Sequence, residues 1–116
     1  MTTQFGLIVI RASDIERAVK FYAAMGCNFV TERHGNGPEH LAAEINGVVF
    51  EIYPVGNQPV TVGVRLGFKV ASLATTVAAL EMAVGIVQSP PTDGPWGLRA
   101  VLRDPEGHIV EIVQCD

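Results

Sequence analysis

The chain is written twice. Gly47-x-x-Phe50-Glu51-Ile52 returns as Gly107-x-x-Val110-Glu111-Ile112, and Ala12-Ser13-Asp14-Ile15 returns as Val70-Ala71-Ser72-Leu73. A pattern that recurs at near-constant spacing implies one supersecondary unit used twice. The unit can be read residue by residue. Residues 5–12 form an apolar, β-branched run that predicts a strand with at least one buried face. Ser13 and Glu16 stand at capping-box spacing, and Asp14 adds negative charge to a first helical turn. Ile15, Ala18, Val19, Tyr22 and Met25 then recur with helical period until Gly26. Residues 27–32 read as a strand, and residues 40–45 and 48–53 as a hairpin across Asn46-Gly47, the strongest short hairpin signal.

After a proline-flanked connector the cycle repeats. Residues 62–70 predict a strand, and Ser72 can cap a helix carrying Leu73, Val77, Leu80 and Val84, with Gly85 as its stop. Residues 86–88 read as a short strand, and the proline-rich residues 89–97 as a loop. A last hairpin runs over residues 98–103 and 109–113. The expectation is an α+β fold in one domain spanning 1–116, made of two βαβββ repeats at about 1–56 and 60–116. A curled mixed sheet would surround a concave cavity, with the helices outside.

Composition removes several function classes. Twelve acidic against eight basic residues give a net charge of −4, with no basic cluster to attract nucleic acid. At 48% hydrophobic and 17% charged the chain is too apolar for disorder. No apolar run approaches the ~20 residues of a membrane span, and Met1–Gln4 carries no basic region of a secretory leader. Cys27 and Cys115 fit reduced thiols. A cytoplasmic protein is the expectation, with neither nucleic acid nor membrane as partner.

The segment IRASDIERAVKFYAAMG, followed later by WGLRAVLRDPEGHIVEIVQ, resembles the vicinal oxygen chelate superfamily. That group includes glyoxalase I, bleomycin resistance proteins, fosfomycin resistance enzymes and extradiol dioxygenases. The resemblance covers essentially the whole chain and implies two βαβββ modules, a concave cavity and a homodimer. It also implies a divalent metal held at four strand positions, which here are Leu7, Glu51, Arg65 and Glu111. Leu7 offers no lone pair, and the Arg65 guanidinium has no acceptor. Two carboxylates would leave such an ion mostly hydrated. No metal cofactor is therefore expected.

Strand alternation gives the cavity lining. Leu7, Val9 and Arg11 share one face of the first strand, and Arg65, Gly67 and Lys69 share one face of its counterpart. With Glu51, Tyr53, Glu111 and Val113 they are expected to line the concave side, with Trp96 at its rim. Arg65 is expected to bridge Glu51 and Glu111, its charge replacing the metal's. Those glutamates either form a structural ion pair or supply a general base. Trp96 either stacks on a flat ligand or packs over the sheet. His34, His40 and His108 stand at no family ligand position and read as structural or surface residues. Two functions survive. One is sequestration of a small molecule, cationic or aromatic, contacted by Arg65, Lys69, Tyr53, Trp96, Arg11 and Leu7. The other is a lyase, isomerase or dioxygenase with Glu51 or Glu111 as the catalytic base.

Overall fold

The computed structural model describes residues 1–115, so the last position of the second repeat lies outside the described residues. The first module comprises β1 (Leu7–Ala12), α1 (Ile15–Ala24), β2 (Val30–Glu32), β3 (His40–Ile45) and β4 (Val48–Pro54). The second comprises β5 (Arg65–Val70), α2 (Leu73–Met82), β6 (Ile86–Gly94), β7 (Gly97–Arg103) and β8 (Ile109–Gln114). Each builds its own four-stranded mixed sheet, in the orders β1-β4-β3-β2 and β5-β8-β7-β6. The first strand of each module pairs in parallel with the last, which is why a helix must connect the opening strand to the rest. The expected α+β fold of two βαβββ modules is thus present, each module carrying its own mixed sheet with one face toward the helices and one open.

Alternation decides which face meets the helices. Ile8, Ile10, Phe50 and Ile52 in the first sheet, and Leu66, Val110 and Ile112 in the second, join Phe21, Tyr22, Leu73, Val77 and Leu80 in one shared core. Tyr22 sits at its centre, edge-on to Phe50 at 5.0 Å and 6.0 Å from Phe68 across the module boundary. The opposite faces carry the polar residues.

Several expectations are corrected in detail. Asp14, not Ser13, caps α1, accepting from the Arg17 N–H at 3.2 Å. Ser13 is instead drawn across the module boundary, its N–H and hydroxyl donating to the Glu106 carboxylate. Ser72 caps α2 as read, accepting from the Thr75 N–H. The proline-rich segment expected as a loop is the second half of β6, with two register shifts against β7. Prolines 90 and 91 are tolerated because β6 is an edge strand with one row of backbone groups unpaired. Val84 is not on α2. It follows the helix at φ 67°, the left-handed turn that a glycine usually takes. Gly85 serves packing instead, since a Cβ there would lie 2.6 Å from the Phe21 ring.

Candidate functional site

The two open faces carry different chemistry. On the first sheet, the β2–β3 register sets Glu32 opposite His40, and the β3–β4 register sets Ala42 opposite Glu51. His40 is 1% exposed, and its imidazole stacks flat on Tyr53 with centroids 4.1 Å apart. The Arg11 guanidinium lies 5.4 Å from the Tyr53 ring on the same face and donates to the Pro54 carbonyl. His40 Nδ1 is 3.2 Å from the Pro38 carbonyl, which can only accept, so Nδ1 carries a proton. Nε2 points the other way, 3.5 Å from Glu32 Oε1 and 3.5 Å from Glu51 Oε2. His34 Nε2 lies 3.5 Å from the same Glu32 oxygen, at the solvent side.

On the second sheet the centre is Glu111. Arg65 from β5 and Arg99 from β7 both donate to its carboxylate, with Arg99 Nη2 3.2 Å away. Hydrogen bonding from Arg99 holds the Glu111 carboxyl below the usual range; slight burial opposes this and Arg65 reinforces it. Lys69 is exposed on the same strand and borders a pocket of about 250 Å³ with Asn28 and Glu44. Trp96, 80% exposed, lies at the β6–β7 turn and lines a pocket of about 140 Å³ with Arg99.

The expected set is therefore divided. Arg65 pairs with Glu111, and among the described residues it makes no ion pair with Glu51. Leu7 is 53% exposed on the edge strand β1 and brings no donor. A cleft of about 460 Å³ runs between the modules, bordered by Phe5, Phe50, Arg65 and Gly67. The four family metal positions do not fit an ion, because one is a hydrocarbon and another a guanidinium committed to the fourth.

A third polar centre was not expected. Asp104, 2% exposed, accepts from the Tyr22 hydroxyl at 2.6 Å, from His108 Nδ1 at 2.8 Å, and from the His108 and Glu106 backbone N–H groups. His108 Nε2 and the Thr61 hydroxyl lie 2.8 Å apart in a hydrogen bond, and that oxygen accepts from the Arg11 N–H. Burial raises the Asp104 carboxyl, but these hydrogen bonds and the facing His108 outweigh it, and the net direction is downward. Burial, with Asp104 reinforcing it, drives the Tyr22 phenol far above its ordinary value. The side-chain polar atoms of Asp104, Tyr22, His108 and Thr61 all have partners, so the network reads as a clasp between modules. The signal for it was the Asp104-Pro105-x-Gly107 turn, whose partner lies 82 residues away in sequence.

With this geometry in hand, comparison is informative. The profile of the Glyoxalase/Bleomycin resistance protein/Dioxygenase superfamily matches residues 4–112. The chain belongs to that superfamily. A search of curated protein sequences returns no match. Among solved structures, a glyoxalase-related enzyme from Fulvimarina pelagi is similar at 26% identity and TM-score 0.79, over 98% of this chain and 89% of that one. A glyoxalase/bleomycin resistance protein from Albidiferax ferrireducens aligns at 24% identity and TM-score 0.76, over 97% and 98%. An antibiotic-binding protein from a Streptomyces species aligns at 22% identity and TM-score 0.73, over 99% and 98%. The last two likenesses establish the fold alone. Within this superfamily fold, what the chain does must be read from its faces.

Proposed function

We propose that this superfamily member binds a small molecule against the open faces of its sheets, without turnover through a family-type metal. The observation that carries this reading is the clamping of Glu111 by Arg65 and Arg99. A carboxylate so held is neither an available metal ligand nor a strong base. The faces suit binding. Glu32 and Glu51 beside Tyr53 give the first face an acidic character that suits a cationic ligand. The second face, with Arg65, Lys69 and Arg99 near Trp96, suits an anionic or polar arm. In a homodimer the basic face of one copy would meet the acidic face of the other, giving an enclosed cavity with complementary charge. The free thiols of Cys27 and Cys115 agree with a cytoplasmic setting.

A second reading is a lyase, isomerase or dioxygenase with Glu51 as general base. Glu51 has no guanidinium partner among the described residues, and the relative at 26% identity is described as a glyoxalase-related enzyme. One experiment separates the two. Purified protein is incubated with planar cationic aromatic antibiotics, then examined by native mass spectrometry and by chromatography of the recovered compound. The binding reading predicts two copies of the 12.4 kDa chain with a compound retained and recovered unchanged. A compound recovered chemically altered would establish the second reading, and a monomer that retains nothing would end both the dimer and the ligand class.

A further inference from the structure

We propose that Glu32, His34, His40 and Glu51 form a divalent transition-metal site of the zinc class on the open face of the first sheet. It is separate from the superfamily's metal positions and shares only Glu51 with them. One donor atom from each of the four residues lies within 4.8 Å of one from every other. Proximity of acidic groups alone would mean little, but His40 supplies an independent observation. Its Nε2 is buried and without a hydrogen-bond partner among the described residues. With Nδ1 donating to the Pro38 carbonyl, the ring in its neutral form turns the Nε2 lone pair toward two carboxylate oxygens. In that form three acceptors converge on one point, which a cation bound there would satisfy. A buried arrangement of that kind costs free energy unless a cation occupies it.

Geometry and ligand type narrow the cation. Nitrogen and oxygen ligands bind Zn²⁺ at about 2.0–2.1 Å, so donors at the corners of a tetrahedron stand about 3.4 Å apart. The contacts between His34 and Glu32, Glu32 and His40, and His40 and Glu51 are each 3.5 Å. Two imidazoles with two carboxylates suit Zn²⁺, and also Ni²⁺, Cu²⁺ or Co²⁺, better than Ca²⁺ or Mg²⁺. A carbonyl accepting from the far ring nitrogen is the usual support for a ligating histidine. The flat stack on Tyr53 fixes the ring plane. His34, exposed at the rim, is the corner most readily exchanged for water.

The probe is the metal alone. Chelator-treated protein is titrated with Co²⁺ and followed by visible absorption, then with Zn²⁺ followed by displacement and thermal unfolding. One equivalent of Co²⁺ with tetrahedral-type bands, displaced by Zn²⁺ with a rise in melting temperature, is the expected result. Glu32→Gln, on the half-exposed edge strand, should weaken Zn²⁺ binding by at least about 10-fold, and His40→Gln should abolish it. His34→Ala at the surface should weaken binding without disturbing the fold. Glu44→Gln, on the same face but outside the cluster, should bind like wild type. The proposal is overturned if no stoichiometric binding occurs, or if binding survives both Glu32→Gln and His34→Ala. Loss of binding in Glu111→Gln would also overturn it, because the ion would then sit at the superfamily's own positions.

Discussion

The two modules share a backbone plan but treat the same carboxylate in opposite ways. Glu51 on β4 and Glu111 on β8 occupy equivalent positions of the repeat. Glu111 is held between two guanidiniums, whereas Glu51 faces the His40 imidazole and, beyond it, a second carboxylate. The turns diverge as well. Asp104, at the start of the β7–β8 turn, is the buried node of the intermodule clasp, whereas the register places the apolar Ile45, packed against the core, at the equivalent point of the first hairpin. Strand pairing and helix packing constrain the backbone and the apolar face, so these persist through duplication. The open faces are constrained only by what they bind, and there the copies separate.

The largest expected effect tests the asymmetry of the turns. Asp104→Ala strands the Tyr22 hydroxyl and two backbone N–H groups inside the core, which should cost about 3–5 kcal/mol in urea melts. Glu44→Ala, at an exposed acidic position near the first hairpin turn, should cost nearly nothing. The pH dependence has a definite sign. The folded Asp104 carboxyl lies below its ordinary value of 3.8, so its stabilisation is complete above that value and is lost as pH falls through the folded one. Wild type should therefore lose stability toward acid more steeply than Asp104→Asn. Next in size, Tyr22→Phe removes one hydrogen bond to a charged acceptor and should cost about 1.5–3 kcal/mol by the same melts.

Smaller effects probe the helix ends and the ion pairs. The first helix is followed by Gly26 at φ 107°, the second by Val84 at φ 67°. Val84→Gly should relieve a left-handed β-branched residue and raise stability by about 1 kcal/mol, seen as a higher urea midpoint. Arg65→Met should be milder than a buried bridge between two glutamates would imply. Arg65 is 51% exposed and Arg99 remains on Glu111, so a loss of about 0.5–1 kcal/mol is expected. A loss several-fold larger would mean that Arg65 is buried in the assembled protein.

Much of the fold is legible in the sequence because it rests on local chemistry. Asn46-Gly47 makes its hairpin because both residues take positive φ, 50° and 83°. Ser72 and Gly26 mark helix ends for equally local reasons. The second half of β6 was hidden because prolines forbid a central strand but not an edge strand, and edge position is a property of the sheet. The cluster on the first face was hidden by register. Glu32 meets His40 only once β2 is known to pair with β3, and Glu51 joins them through β4. Carrying the register outward from the Asn46-Gly47 turn would have put His40 beside Tyr53, two residues from Glu51 and on the same face. The Asp104-Pro105-x-Gly107 turn marks one half of the clasp, but its partner Tyr22 is supplied only by the packing of the modules.

The claim that the two glutamates serve separate faces is tested most directly by zinc-edge anomalous diffraction from a crystal soaked in Zn²⁺. A single strong peak at about 2.0–2.1 Å from His40 Nε2 is predicted, with Glu32 and Glu51 as neighbours and no peak beside Glu111. A peak shared by Glu51 and Glu111, or none at His40, would contradict it.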